Sequence, residues 1–143
     1  MPFEFVEHTA DLGVRVTAAT LPALFEEAAV ATTACLVDPA SVRPHEAASV
    51  ALEAPDAESL LVAWLNELLF RYDTARWLTA RAAVRLEAAA SGPGVRLSAT
   101  IQGEPLDPAR HAVEREVKAV THHGLAVEHQ ADGTLAATVI YDL

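Results

Sequence analysis

The stretch from Asp56 to Tyr72 has less conformational freedom than any other part of this chain. Leu61, Trp64, Leu65, Leu68, Leu69 and Tyr72 recur at the spacing of one helical face over four turns. Such a stripe is coherent only at 3.6 residues per turn. Asp56, just after Pro55, is placed to cap the first turn with its carboxylate, and Glu58 puts negative charge where the helix dipole is positive. By the same periodicity Asn66 and Glu67 fall on the opposite, solvated face. A helix with this much apolar surface must lie against another element, and the flanking sequence supplies strands.

Phe3 to Val6 is a short strand-forming run, and Gly13 to Ala18 alternates apolar with polar residues. Thr20 is a candidate cap for an earlier helix, with Pro22 in its first turn; Leu21, Leu24, Phe25, Ala28, Cys35 and Leu36 form its apolar stripe and Asp38-Pro39 its end. Alternation returns from Pro44 to Glu53, with Ala48, Val50 and Leu52 on one face. Trp77 to Ala88, the turn Ser91-Gly92-Pro93-Gly94, and Val95, Leu97, Ala99 and Ile101 read as a hairpin. A polar connection from Gln102 to His111 leads to an expected strand from Glu116 to Val127, a turn at Ala131-Asp132-Gly133 and a last strand from Leu135 to Leu143. Two helices packed on a mostly antiparallel sheet make a two-layer α+β architecture. At 143 residues and 52% hydrophobic content, residues 1–143 are expected to fold as a single domain.

Charge narrows the function classes. Twenty acidic residues against ten basic ones give a formal charge of −10, which repels a phosphate backbone, so autonomous nucleic-acid binding is not expected. No stretch reaches the roughly 18 uninterrupted apolar residues of a membrane span. The N-terminal residues Met1 to His8 lack the basic and apolar regions of a secretory signal, so the expected location is the cytoplasm. The single cysteine, Cys35, excludes an internal disulfide framework and sits in an apolar helical pattern as core packing.

Among the ten basic residues only Lys118 is a lysine. Lysine and arginine are not interchangeable at a tuned site, since the ammonium is compact and shifts its pKa on burial. On composition alone, chance in an alanine-rich, arginine-using chain is the slightly better account, with Lys118 an ordinary solvated strand lysine. On the expected strand, the two-residue period sends Glu116, Lys118, Val120 and His122 to one face; an exposed ion pair would look the same. His8 and Asp11 stand three residues apart on the polar elbow between the first two strands. The same residues suit an Asx turn in which Asp11 accepts a backbone N–H and His8 packs.

The acidic groups Asp11, Glu116 and Asp142 all fall on strands or strand ends, and the first and last strands would bring two of them together if they are neighbours. Such oxygen ligands suit hard cations, Ca²⁺ or Mg²⁺, and adding His8 admits Mn²⁺ or Zn²⁺. There is no HExxH, paired CxxC, GxGxxG, P-loop or nucleophile elbow.

Three ordered motifs, His8-Thr9-Ala10-Asp11-Leu12-Gly13, Leu60 to Phe70 and Val117-Lys118-Ala119-Val120-Thr121-His122-His123, followed by Ile140-Tyr141-Asp142, resemble the archease family from end to end. The resemblance implies a non-enzymatic accessory protein of the RtcB-type RNA ligase. Such a protein promotes guanylylation of the ligase's active-site histidine and multiple turnover in tRNA splicing and RNA repair. It implies a divalent metal site at Asp11 and Asp142, with His8 and Glu116 less securely placed and the Leu143 carboxylate adding to it, and Ca²⁺ as the first choice over Mg²⁺ or Mn²⁺. Lys118 falls on the family's lysine, with Glu116 beside it, and Arg110 is the candidate for a further functional cation in the preceding loop. A free-standing metal-dependent hydrolase and a chaperone-like binding module for nucleic-acid enzymes are the competing readings.

Overall fold

The structure is a computed structural model that describes residues 2–6, 11–90, 92–122 and 124–143. The chain runs β1 (Phe3–Val6), β2 (Asp11–Ala18), α1 (Leu21–Leu36), β3 (Glu46–Ala54), α2 (Ala57–Ala75), β4 (Trp77–Ala88), β5 (Val95–Pro105), β6 (Ala119–Thr121), β7 (Val127–His129) and β8 (Leu135–Asp142), with a 3-10 turn at Pro39–Ser41. The class is α+β, and all recorded strand pairings are antiparallel. The strands divide between two sheets. One has the order β1-β2-β8-β6, with β7 also paired to β8, and the other is β3-β5-β4.

The helix caps form as their sequences dictate. The Thr20 hydroxyl accepts the Ala23 N–H at 3.2 Å, and Asp56 Oδ1 accepts the Ser59 N–H at 2.7 Å, each relieving an otherwise orphaned donor of the first turn. α2 stops at Arg76, whose backbone is left-handed (φ 57°) and whose guanidinium lies 5.2 Å from the Tyr72 ring centroid.

The helices lie against both sheets. Val14 and Val16 of β2, Val139 and Tyr141 of β8, and Leu97 and Ile101 of β5 are buried in one core with Leu24, Phe25, Leu61, Trp64 and Leu65. Trp64 Nε1 donates to the Phe25 carbonyl at 2.9 Å, so the largest buried side chain joins the helices with its polar atom satisfied. α1 also protects β4, the last strand of its sheet. Glu26 Oε2 accepts the Val84 N–H at 2.8 Å, and Thr33 Oγ1 donates to the Thr79 carbonyl at 2.6 Å. Gly103 of β5 is packed so closely that a Cβ there would overlap the Leu78 carbonyl oxygen.

Three expectations change. β5 continues to Pro105, because its polar end carries the buried Glu104. The strand expected from Glu116 to Val127 shrinks to Ala119–Thr121, with Val127–His129 as a separate strand. Its partner sets the limit: Ala119 is opposite Asp142, where β8 ends, and Gly124 turns the chain at φ 69°. Glu116, Lys118, Val120 and His122 therefore do not share a strand face; Val120 is buried while the other three are exposed. Finally, Asn66 is half-buried and not fully solvated, since its carboxamide is bonded to Val120.

Candidate functional site

Asp11 opens β2, Asp142 closes β8, and the register sets them directly opposite each other. In antiparallel pairing such residues share a face, with Cβ atoms about 4.5–5.5 Å apart. Alternation turns their neighbours Leu12 and Tyr141 toward the core and the two carboxylates away from the helices. Tyr141, fully buried, hydrogen-bonds Thr32 Oγ1 at 2.8 Å, and burial pushes its phenol well above its ordinary pKa. The residue that precedes Asp142 is thus fixed in the core. Burial also pushes the nearby Cys35 thiol up to about 12, so its role is packing.

Lys118 approaches Asp142 along the other edge of β8. Its N–H donates to the Asp142 carbonyl at 2.8 Å, and Ala119 lies opposite Asp142. Asp142 is therefore flanked by Asp11 on one side and the Lys118-Ala119 peptide on the other. The Lys118 side chain is exposed and lines a groove with Glu116 on its own segment and Asn66, Phe70 and Asp73 of α2. Glu116 is likewise exposed.

The connection carrying these residues is tied down along its length. At its start, Arg110 Nη2 donates to Glu104 Oε1 at 2.6 Å, and Arg110 Nε lies 3.5 Å from Asp107 Oδ2. The buried Glu104 carboxylate also accepts the Arg43 N–H and the His111 Nε2 proton, each at 2.9 Å. His111 Nδ1 accepts the Asp107 N–H at 2.8 Å, which assigns the ring proton to Nε2. With these donors, Arg110 foremost, the Glu104 carboxyl is held at about 2. Farther along, the Glu114 N–H and the Arg115 guanidinium reach the Leu36 and Cys35 carbonyls at 2.8 and 2.9 Å. Both carbonyls belong to the last turn of α1, where donors and positive charge are needed.

Asp11, Asp142 and the backbone of Lys118 thus meet at one corner of the five-stranded sheet. Arg110 is engaged by Glu104 and Asp107, and Leu143 follows Asp142 as a half-exposed residue. His8 lies outside the described residues. Among the described residues no group of three or more His, Cys, Asp or Glu side chains gathers as a metal cage; the corner presents two carboxylates and adjacent main-chain oxygens. Sequence reasoning missed Asn66, the Glu104 cluster and Arg115. The one visible signal for Asn66 is a residue of poor helix propensity inside a strongly patterned helix.

The chain belongs to the archease family: the family model described as the Archease protein family (MTH1598/TM1083) matches residues 3–143. Protein archease of Methanopyrus kandleri is 39% identical over 143 residues, covering 100% of both chains. Protein archease of Thermococcus gammatolerans is 38% identical over 141 residues, covering 99% of this chain and 98% of its own. The solution structure of Methanobacterium thermoautotrophicum protein 1598 has a similar fold, with a TM-score of 0.80, 33% identity and 99% coverage of each chain. Among the described residues no helix is long and apolar enough to cross a membrane.

Proposed function

We propose that this protein is a non-enzymatic activator of an RtcB-type RNA ligase, promoting guanylylation of the ligase's active-site histidine and repeated turnover in tRNA splicing and RNA repair. The observation that carries the reading is the cross-strand pairing of Asp11 with Asp142, with Lys118 bonded through its backbone to the same residue. Two carboxylates held opposite each other repel, and an oxygen-rich donor set of this kind fits a hard divalent cation, Ca²⁺ first and Mg²⁺ or Mn²⁺ next. Asp11 and Asp142 would hold it, with a Leu143 main-chain oxygen and His8 as further ligands. When bound, such an ion supplies positive charge against phosphate oxygens.

The chain's own residues position and screen. Nucleotidyl transfer is governed chiefly by electrostatic placement of phosphates. Lys118 presents an ammonium beside the corner and Glu116 a carboxylate, so the pair can orient a phosphate or the partner's basic groups without covalent participation. Arg110 serves through Glu104, anchoring the connection on which Lys118 rides. The charge of −10 complements a basic, RNA-handling partner and favours encounter with it over direct RNA binding. A cytoplasmic site of action belongs to the same reading, because the partner it requires handles tRNA.

The test is ligase guanylylation with catalytic amounts of this protein. Asp11→Ala, Asp142→Asn and Lys118→Ala are each expected to lose most of the stimulation. Normal stimulation by all three would remove the site assignment, and phosphatase or nuclease turnover by the protein alone would replace the reading with that of a hydrolase.

A further inference from the structure

We propose that Asn66 is a positioning residue, whose carboxamide takes the place of a neighbouring strand at Val120, on the edge of β6 that no described strand covers, and so sets the placement of Lys118. The inference rests on the functional reading above for its consequence, but not for its geometry. β6 is the terminal strand of its sheet, paired on one side to β8. On the other side the N–H and C=O of Val120 require partners, because Val120 is buried. Asn66 supplies both: Oδ1 accepts the Val120 N–H at 2.8 Å and Nδ2 donates to the Val120 carbonyl at 3.2 Å. A side-chain amide presents its oxygen and an N–H side by side, as a strand residue presents its own N–H and C=O to a neighbouring strand, so this two-point contact reproduces a rung of sheet pairing.

β6 is a strand of three residues, each paired to β8. Its two edges are gripped by Asn66 at Val120 and, two residues earlier, by the Asp142 carbonyl at the Lys118 N–H. Between these grips the chain has little freedom, and Lys118 leaves it in a set direction. On α2, Phe70 and Asp73 follow Asn66 at helical spacing, and with Glu116 and Lys118 they border one groove. Asn66 thereby sets the relation between the Lys118 segment and the helical wall opposite.

Lys118 is the one lysine of the chain, so protein carrying ¹³C,¹⁵N-lysine gives a single side-chain signal that reports its surroundings. Asn66→Ala is expected to shift that signal and to lower hydrogen-exchange protection of the Val120 amide by about tenfold or more. Maximal ligase stimulation falls about 10- to 100-fold, the usual range for a lost supporting contact, while the concentration giving half-maximal stimulation is unchanged. Asn66→Asp keeps the shape and the acceptor but sets a carboxylate oxygen against the Val120 carbonyl where the donor stood, and gives a loss of the same kind. The losses in Asn66→Ala/Lys118→Ala do not add, because both act through the same group. A control of matched melting temperature, Val84→Ala, leaves the lysine signal and the stimulation as in wild type. An unaltered Lys118 signal in folded Asn66→Ala or Asn66→Asp protein, or additive losses in the double variant, would overturn the proposal. If wild-type protein fails to stimulate the ligase, the functional reading falls, while the Lys118 and Val120 signals still decide the role of Asn66.

Discussion

Replacing Asp142 by Asn removes one of two like charges that the register sets face to face, and its effect on stability should change sign with the solution. At about 5 Å, two unit charges in water repel by about 0.8 kcal/mol, and like charges directly opposite in a sheet cost about 0.2–1 kcal/mol. In chelator, Asp142→Asn should therefore be more stable than wild type by about 0.5–1 kcal/mol, a rise of about 2–4 °C in Tm for a domain of this size. A divalent cation that binds the native pair at 100 times its Kd stabilises wild type by about 2.7 kcal/mol. With Asn at 142 that gain disappears, so the order of stability reverses, with wild type ahead by about 2 kcal/mol. Calorimetry of both proteins, first in EDTA and then in a titration of Ca²⁺, Mg²⁺ and Mn²⁺, measures the crossing. Equal cation-induced shifts in the two proteins, or a lower Tm for Asp142→Asn in EDTA, would refute the account of the corner as a charge pair awaiting a cation.

Three further outcomes follow from the packing and the buried polar groups. Glu104→Gln should cost about 1–3 kcal/mol at neutral pH, since the amide keeps one acceptor oxygen where the carboxylate met the Arg110, Arg43 and His111 donors. Because the wild-type carboxyl is depressed from 4.5 to about 2, its stabilisation is complete above about pH 4.5 and drains as pH falls toward 2; urea denaturation across that window should give a flatter profile for the variant. Cys35, buried and with its thiol pushed up to about 12, should resist thiol reagents at pH 8 and react fully in denaturant, which mass spectrometry checks. Gly103→Ala should destabilise by about 3 kcal/mol or more, because the new methyl meets the rigid Leu78 backbone; an unchanged denaturation midpoint would contradict the packing beside the irregularity in the β4–β5 ladder.

The parts of the fold that were legible in the sequence depend on local chemistry. Thr20 and Asp56 cap their helices because a cap needs only the donors of the next turn, and the stripe from Leu61 to Tyr72 needs only the helical repeat. β4 likewise runs from Trp77 to Ala88 as its alternation indicates. What was not legible depends on partners remote in sequence. Whether residues 116–118 form a strand is decided by where β8 ends, and whether the strands make one sheet or two is decided by which edges meet. Arg110 reads as a free cation because its partner Glu104 lies in a segment whose polar sequence disguises a strand end. Asn66 reads as solvated because helical periodicity records only apolar partners, and its partner is a peptide group. The facing of Asp11 and Asp142 lay between these cases: alternation fixed the side of each strand on which they stand, but only the pairing of β2 with β8 makes them neighbours.

The place of β8 in the larger sheet has a consequence for how the molecule is made. β8 comes last in chain order, yet it lies between β2, near the beginning, and β6 and β7. On the ribosome, β1 and β2 emerge early with the far edge of β2 unmatched, and that edge stays open until β8 has been made. The three-stranded sheet has no such wait, because β3, β4 and β5 follow one another closely. The acidic corner is therefore completed only once β8 has emerged, and a nascent chain that has not yet made β8 displays an adhesive strand edge but none of the paired carboxylates.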